Sequence, residues 1–254
     1  MTFDVTADAY ARFMGRYADP LAELFADLVL DAGDLGADDK ILDVGCGPGT
    51  VTAVLAARLG VGRIAAVDPS PTLVASARDR FPAADVREAT AEQLPFDDGA
   101  FGAAVCQLVV PFMADPHRGL AEMSRVVRDG GVVAACAWDA AEGPMASYWR
   151  VADQLDPGAA RAMDLPGSRE GQLAAMMPPG ICDIRSTTLT VHVEVATFEE
   201  WWSPFAFGIG PAGEYFVGLG PDEQEALREG CRASLPTEPI RISGTARAAV
   251  GRRG

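Results

Sequence analysis

The sequence predicts an α/β fold in three layers, with a mostly parallel β-sheet between two layers of helices. Between residues 40 and 138, short apolar runs alternate with stretches of helical spacing. The runs are hydrophobic almost throughout, which is typical of strands buried on both faces. Two such strands joined through a helix lie parallel in one sheet, connected by a right-handed crossover.

Five apolar runs and three helical stretches make up this alternation. The predicted strands are Lys40–Val44, Arg63–Val67, Ala84–Glu88, Phe101–Leu108 and Gly131–Trp138. The predicted helices between them are Thr50–Leu59, Ser70–Phe81 and Pro116–Val127. Asp115 is a favourable N-cap before the proline that opens the third helix. The sequence Asp129-Gly130-Gly131 supplies the positive φ angles that end this helix and start the next strand.

The alternation stops after Trp138. Thr187–Thr197 alternates apolar and polar residues, which predicts a sixth strand with one solvated face, and Ile240–Val250 is a weaker seventh strand. Further helices are predicted near Ser147–Gln154 and Pro221–Leu235. We expect one domain over residues 1–254, made of a helical leader (1–35), a ligand-binding core (36–138), and cap inserts with the last two strands (139–254).

Composition and charge argue against nucleic-acid, membrane and metal partners. The chain has 21 Lys and Arg against 36 Asp and Glu, a net charge of −15, so we expect no nucleic-acid partner. No apolar run reaches the roughly 18 residues of a membrane span, and no signal-peptide pattern opens the chain, so we expect no membrane contact and a cytoplasmic location. Five widely spaced cysteines and two histidines predict free thiols and no metal site.

The segment ILDVGCGPGT, residues 41–50, is a strand followed by a glycine-rich turn and a helix start. The glycines let the backbone approach a ligand closely, and the helix N-terminus offers unpaired N–H groups. A P-loop would need a Lys and a Ser or Thr after Gly49, and a dinucleotide fingerprint would need Gly in place of Thr50. Asp68, at the tip of the next strand, can accept hydrogen bonds from ribose hydroxyls, and a helix cap is its other possible role.

The pattern of Asp43, Gly45, Gly47 and Gly49 resembles the first motif of class I S-adenosylmethionine-dependent methyltransferases. Residues 88–107 resemble that family's adenine loop and fourth strand, and residues 115–131 resemble its following helix and turn. Residues 10–28 resemble the leader of the methyltransferase type 11 subgroup, the small-molecule enzymes like those of ubiquinone and menaquinone biosynthesis. The resemblance implies a Rossmann-like three-layer sandwich of seven strands, one of them antiparallel. It also implies S-adenosyl-L-methionine as cofactor and S-adenosyl-L-homocysteine as product.

The resemblance further implies a set of cofactor-binding residues. These are Tyr10, Arg16, Asp43, Gly45, Cys46, Gly47, Asp68, Pro69, Ser70, Ala91, Glu92 and Gln107. Tyr10 and Arg16 would lie near the methionine carboxylate, although a solvated surface helix is an equal alternative for Arg16. Thr90 departs from the family, which often has Asp at this position on the adenine amine. Ala91 and Glu92 could serve instead.

Methyl transfer from a sulfonium is a direct displacement on an activated donor, so no catalytic side chain is demanded and none is identified. His117, His192 and Asp139 are candidate bases, each with a more ordinary surface or loop role. Apolar residues expected either in an acceptor pocket or in the core are Phe13, Met14, Tyr17, Val109, Phe112, Met113, Trp201, Trp202, Phe205 and Phe207. Met145, Met163, Met176 and Met177 fit an adaptable cap or an irregular core.

The expected function is therefore methyl transfer to a small apolar or aromatic molecule. Two alternatives stay open on the sequence, because a fold does not fix a reaction. One is an S-adenosylmethionine-binding enzyme that performs an elimination or a cyclisation. The other is a cofactor-binding partner without catalysis. A nicotinamide oxidoreductase is disfavoured by Thr50, and a homodimer is open.

Overall fold

The computed structural model describes residues 14–235 and 237–254, and a seven-stranded sheet of order β3-β2-β1-β4-β5-β7-β6 forms its centre. The strands are β1 Ile41–Val44, β2 Ile64–Asp68, β3 Asp85–Glu88, β4 Phe101–Gln107, β5 Val127–Trp138, β6 Ile181–Val195 and β7 Ile240–Arg253. Neighbours among β1–β5 pair in parallel, and β7 pairs antiparallel with both β5 and β6. The predicted mostly parallel sheet with one reversed strand is confirmed.

Helices lie between the strands and beyond them. They are α1 Arg16–Leu30, α2 Thr50–Leu59, α3 Pro71–Arg80, α4 Pro116–Val126, α5 Ala146–Leu155, α6 Gln172–Met176, α7 Phe198–Trp202, α8 Gly210–Gly218 and α9 Pro221–Ser234. The helices predicted within the 40–138 alternation are confirmed to within two residues. Helices α6, α7 and α8 were not predicted; all three are short, α7 is rich in aromatic residues, and α8 contains several Gly and a Pro. Within the predicted helical leader, the described residues contain helix α1.

Three strands are longer than the sequence predicts, namely β5, β6 and β7, and β6 begins at Ile181 instead of Thr187. In β5, Val127 pairs with Phe101 and Val132 with Ala103, so the residues between them bulge out of the ladder. Gly130 has a φ of +72° in this bulge, so the glycines continue an existing strand instead of starting one. The last strand, β7, pairs on both sides and is buried on both faces at its centre. A strand in this position shows little alternation, which explains its weak sequence pattern.

Apolar clusters on the two faces of the sheet give the fold its three layers. On one face, α1 and α2 pack residues such as Phe25 and Leu55 against β1, β4 and β5. On the other face, α4 packs Leu120 and Met123 against the same strands. All four of these side chains are fully buried. No helix in the described ranges is long and apolar enough to cross a bilayer.

A separate aromatic core holds together helices α5, α7, α8 and α9, which we call the cap. The ring of Tyr148 stacks on Phe205 at a centroid distance of 4.5 Å, and its hydroxyl donates to the Ala212 carbonyl at 2.9 Å. Trp201 and Trp202 pack around this pair. Tyr17 of α1 joins the same cluster, which connects the leader helix to the cap.

We expect Phe205→Ala to lower the free energy of unfolding by about 3–5 kcal/mol, the usual cost of emptying a buried aromatic site. Phe207→Ala is the matched control, because Phe207 lies in the same short turn of helix and is 48% exposed. Its change should stay within about 0.5 kcal/mol. Urea unfolding followed by tryptophan fluorescence measures both variants. Equal losses would contradict a cap stabilised by this aromatic core.

Candidate active site

The glycine turn after β1 has an open side and a packed side. Gly47 has a φ of +55° and Gly49 a φ of +87°, a region that side chains other than glycine rarely adopt. A Cβ on Gly49 would collide with the ring of Phe81, whereas a Cβ on Gly47 would meet no atom within 4 Å. Gly49 therefore seats the turn against the end of α3, while Gly47 leaves its backbone open to an approaching ligand.

Asp68 joins the tips of the first two strands. Its Oδ2 accepts the Gly47 N–H at 2.8 Å, and its Oδ1 accepts the Ser70 N–H at 2.9 Å. Burial raises the pKa of Asp68, and these two backbone N–H groups oppose that rise. An ionised carboxylate has about four lone-pair sites, so two remain for hydroxyl donors of a ligand.

A cavity of about 710 Å³ extends along the carboxyl ends of the strands. Eight of the predicted cofactor-binding residues line it together, namely Gly45, Gly47, Asp68, Pro69, Ser70, Ala91, Glu92 and Gln107. They come from the loops after β1, β2 and β3 and from the end of β4. The topology thus brings residues up to 62 positions apart in the chain to one edge of the sheet.

The other four predicted residues lie elsewhere. Asp43 and Cys46 line an adjoining recess of about 30 Å³, which also touches Gly45 and Gly47. Arg16 points to Glu200, with 3.6 Å between guanidinium and carboxylate, and is not among the residues that line either space. Tyr10 lies outside the described residues. A role for Arg16 or Tyr10 at the cofactor carboxylate stays a prediction.

Asp43 is a buried carboxyl group at the floor of the recess. It is 1% exposed, and burial raises its pKa to about 6. Thr52 on α2 opposes this rise, since its Oγ1 donates to Asp43 Oδ2 at 2.7 Å. The nearby charge of Asp68 adds to the rise. Helix α2 therefore holds the Asp43 carboxyl in place, and burial keeps its pKa near 6.

The end of β4 is anchored to the leader helix and carries strain. The Gln107 amide nitrogen donates to the Ala18 carbonyl on α1 at 3.0 Å, and the buried Gln107 Oε1 has no hydrogen-bond partner among the described residues. Leu108 follows with a φ of +64°, a conformation that costs a leucine free energy and is concentrated at functional sites. Both residues line the cavity, so the strained turn forms part of its wall.

The loop after β3 is fixed to the start of α4. The Glu92 carboxylate accepts the Asp115 N–H at 3.2 Å, and the Arg118 guanidinium donates to the Glu92 carbonyl at 3.0 Å. Thr90, Ala91 and Glu92 all line the cavity. With Thr90 in place of the family's Asp, the loop is therefore still held in position, and Glu92 supplies an acid beside the cavity.

The rest of the cavity lies under the cap and is apolar. The apolar residues that line the cavity include Met14, Val109, Pro111, Phe112, Met113, Trp138, Met145, Trp149, Met163, Leu165, Ile209 and Pro211. Six of these were expected from the sequence: Met14, Val109, Phe112, Met113, Met145 and Met163.

Several residues offered for this pocket lie elsewhere. Tyr17, Trp201, Trp202 and Phe205 belong to the buried aromatic core of the cap, and Met177 is in the core beneath the sheet with Met176 packed against it. Phe207 is exposed, and Phe13 lies outside the described residues. Trp138 was not expected in the cavity. Its position at the carboxyl end of a predicted strand could have indicated it, because the cavity extends along the carboxyl ends of the strands. Sequence reasoning also missed Trp149, Leu165 and Ile209, which only the packing of the cap brings to the cavity.

The three candidate bases do not line the cavity. His117 is exposed at the start of α4, and His192 on β6 is exposed and hydrogen-bonds Ser243 at 2.9 Å. Burial favours a higher pKa for Asp139, but Arg247 and the N–H groups of Ala141 and Glu142 hold it below its usual value. Its carboxylate is thus an ionised brace for the loop after β5. Among residues 14–235 and 237–254, no group of acids, histidines and cysteines could hold a metal ion.

The sheet order, the glycine turn at the tip of β1 and the acid at the tip of β2 define a Rossmann-like nucleoside-binding domain. Residues 42–135 match the family described as "Methyltransferase domain". This part of the chain is a class I S-adenosylmethionine-dependent methyltransferase domain, and S-adenosylmethionine is the cofactor of that family. The open Gly47 backbone and the two free acceptor positions on Asp68 suit a nucleoside of this kind.

Named relatives are methyltransferases. The chain is 32% identical over 175 residues to trans-aconitate 2-methyltransferase of Methylobacterium radiotolerans, an alignment covering 67% of this chain and 62% of that protein. It covers only 36% of a 37.1 kDa relative encoded in a transposon of Streptomyces fradiae, at 37% identity over 124 residues and 46% of this chain. The chain thus spans less than two thirds of the length of these curated relatives.

A solved structure of the same fold is the YcgJ protein from Bacillus subtilis, with a TM-score of 0.59 and 16% identity over 92% of this chain and 98% of that one. At this identity the likeness concerns the fold alone. The seven-stranded, mostly parallel sheet with one antiparallel strand is what the resemblance in the sequence implied.

We expect Asp43→Asn to gain stability relative to the native sequence as pH rises from 4 to 7. The native Asp43 carboxyl stays protonated up to about pH 6, whereas the unfolded one ionises near 3.8. The stability that the protonated Asp43 contributes is therefore fully present only below the pKa of the unfolded state. It is lost as the pH rises through 6. The difference in unfolding free energy should grow by on the order of 2–3 kcal/mol.

Urea unfolding of both proteins at several pH values measures this difference. Taking the difference cancels the other carboxyl groups, several of which have lowered pKa values and act in the opposite direction. Asp79→Asn on the exposed side of α3 is the control and should show no such trend. A flat difference for Asp43→Asn would mean that this carboxyl is not buried as described.

Proposed function

We propose that this protein transfers the methyl group of S-adenosylmethionine to a small, apolar acceptor. The observation that carries the proposal is that one cavity connects the glycine turn and Asp68 to the apolar walls under the cap. A cofactor and an acceptor bound at its two ends would meet without crossing solvent. When bound, S-adenosylmethionine supplies a methyl group already activated by a sulfonium.

The loops at the sheet edge suit the parts of the cofactor. Asp68 would accept the ribose hydroxyls, and Gly47 would let the backbone lie against the sugar and the amino-acid tail. Ala91 and Glu92 would border the adenine, on the outer side of the sheet where β3 lies. The recess with Asp43 and the buried Gln107 Oε1 offer acceptors for an ammonium group. These assignments follow the family pattern and the shared cavity.

The protein's contribution to the reaction would be alignment and exclusion of water. Displacement at a methyl group needs the nucleophile, the methyl carbon and the sulfur in line, and holding them so removes much of the entropic barrier. The buried cap core supports the apolar walls of the cavity under the cap. This role requires no catalytic side chain.

The described cavity wall disfavours highly charged acceptors. One relative is named for trans-aconitate, a tricarboxylate. Recognition of carboxylates of this kind calls for arginine or lysine side chains. No Arg, Lys or His of residues 14–235 and 237–254 lines the cavity here. We therefore expect an acceptor different from that of this relative, and a cytoplasmic location and a homodimer stay predictions from the sequence.

We expect Asp68→Asn to weaken binding of S-adenosylhomocysteine by about ten- to a hundredfold, which corresponds to about 1–3 kcal/mol for lost hydrogen bonds to a charged group. Titration calorimetry measures the affinity. Asp79→Asn removes an exposed carboxylate of α3 and should leave the affinity unchanged. Melting curves of both variants show whether the fold persists. Unchanged affinity in a folded Asp68→Asn protein would remove Asp68 from the site, and no binding by the native protein would overturn the proposed function.

A further inference from the structure

Charge is distributed unevenly around the cavity. Among the described lining residues, only Asp68 and Glu92 are ionisable, and both belong to the β2 and β3 side of the sheet. The end of the cavity under the cap, bordered by the loops after β4 and β5, has no ionisable side chain in its described wall. An acceptor bound there would meet no acid, base or counter-ion from this wall.

The walls under the cap favour flat aromatic molecules. Trp138 and Trp149 supply two indoles, and three methionines (Met14, Met145 and Met163) line the same end of the cavity. Indoles pack against aromatic rings in stacked or edge-on contacts, and methionine sulfur makes favourable contacts with ring edges. Unbranched methionines also adapt to more than one ring shape. A molecule with fused rings would use this surface better than a short aliphatic chain.

The titratable groups behind these walls are engaged or too deeply buried to exchange protons with an acceptor. Asp139, next to Trp138, is ion-paired with Arg247. Tyr148, next to Trp149, donates to the Ala212 carbonyl, and burial raises its pKa. At the β1 tip, Asp43 and Cys46 border only the small recess, where burial raises the pKa of the Cys46 thiol. None of these side chains lines the end under the cap.

We propose that the acceptor is a fused-ring aromatic hydroxyl compound, methylated on oxygen after it releases its proton to water and not to a side chain of the described cavity wall. The proposal rests on the proposed function and narrows its acceptor. An aliphatic amine is a cation at neutral pH and would be repelled by a sulfonium in this uncharged space. A carboxylate would have to enter with its charge, and no Arg, Lys or His of the described wall would offset its lost hydration, whereas a hydroxyl can enter neutral.

The step balances without a further reagent. The hydroxyl proton goes to solvent, and an oxygen lone pair of the resulting aryloxide forms the new bond to the methyl carbon. The bond between that carbon and sulfur breaks with its electron pair left on sulfur, which gives the neutral thioether S-adenosylhomocysteine. The products are an aryl methyl ether, S-adenosylhomocysteine and one proton.

A binding experiment tests the acceptor class without turnover. The native protein, with and without S-adenosylhomocysteine, is titrated with 1-naphthol, 1-naphthoate and the protonated amine 1-naphthylmethylammonium, and calorimetry gives the affinities. The three probes share one ring system and differ in charge. We expect 1-naphthol to bind at least about tenfold more tightly than either ion, because burial of an unpaired charge is costly. Equal or tighter binding of an ion overturns the proposal.

A kinetic experiment tests the source of the proton. The pH dependence of kcat/KM is measured for 1-naphthol and for the more acidic 4-nitro-1-naphthol, with authentic methyl ethers as chromatographic standards. We expect the rising limb to move to lower pH with the more acidic acceptor by about the difference between the two hydroxyls in solution. A limb at the same pH for both acceptors would indicate a protein base and overturn the proposal. Burial raises the pKa of Asp43 to about 6, so Asp43→Asn is measured in parallel. This variant should leave the pH difference between the two rising limbs unchanged.

The outcomes separate this inference from the function on which it rests. If the protein fails to bind S-adenosylhomocysteine, the proposed function itself fails. If it binds that compound but methylates neither naphthol, or methylates them on carbon, only the acceptor class is overturned. Met163→Ala, which enlarges the space under the cap, adds a further measurement. It should change KM for 1-naphthol several-fold while leaving S-adenosylhomocysteine affinity unchanged, since Met163 lies on the cap side only.

Discussion

The hydrogen bond from the Gly47 N–H to the Asp68 carboxylate is the contact on which the site depends. It joins the turn after β1 to the tip of β2 at 2.8 Å, across 21 residues of chain. The turn can reach the carboxylate because Gly45 and Cys46 already donate to the Val67 carbonyl, in register with the parallel pairing of β1 and β2. The parallel sheet thereby sets the spacing between an open backbone and an acid.

Burial gives this end of the sheet its electrostatic character. Asp43 and Asp68 are both nearly excluded from solvent, and burial raises the pKa of each. No arginine or lysine of the described chain lines the cavity beside them. A ligand with a cationic group near this edge would therefore be favoured, because the acids are only partly compensated by backbone N–H groups and by Thr52. The opposite end of the cavity is apolar, so the two ends suit ligands of different character.

The sequence predicted the core better than the cap because local pattern and tertiary environment agree in the core. Strands buried on both faces are hydrophobic throughout, and Pro116 after an Asp cap starts a helix without help from distant residues. Eight of the residues predicted to bind the cofactor lie together along the cavity, because they occupy positions at or just after the ends of neighbouring strands. Arg16 differs, since its direction depends on the packing of α1 against α7, and there it faces Glu200.

The acceptor pocket shows the limit of reasoning from apolar residues. Trp149 lines the cavity and Trp202 lies in the cap core, although both are aromatic residues on helices of the same region. Composition cannot separate them, because both are buried in the cap core and only Trp149 also reaches the cavity. Ile209 reaches the cavity because Gly208 and Gly210, both with positive φ, turn the chain on either side of it. Such a turn has no hydrophobic period to predict it.

A crystal structure of the protein with S-adenosylhomocysteine would show directly whether the Gly47 turn and Asp68 hold the nucleoside. We expect the ribose hydroxyls to lie within hydrogen-bond distance of the Asp68 carboxylate and the backbone of Gly47 to lie against the ligand. We expect the thioether sulfur to face the space bounded by Trp138 and Trp149. A nucleoside bound away from Asp68, or a sulfur directed toward bulk solvent, would contradict this expectation.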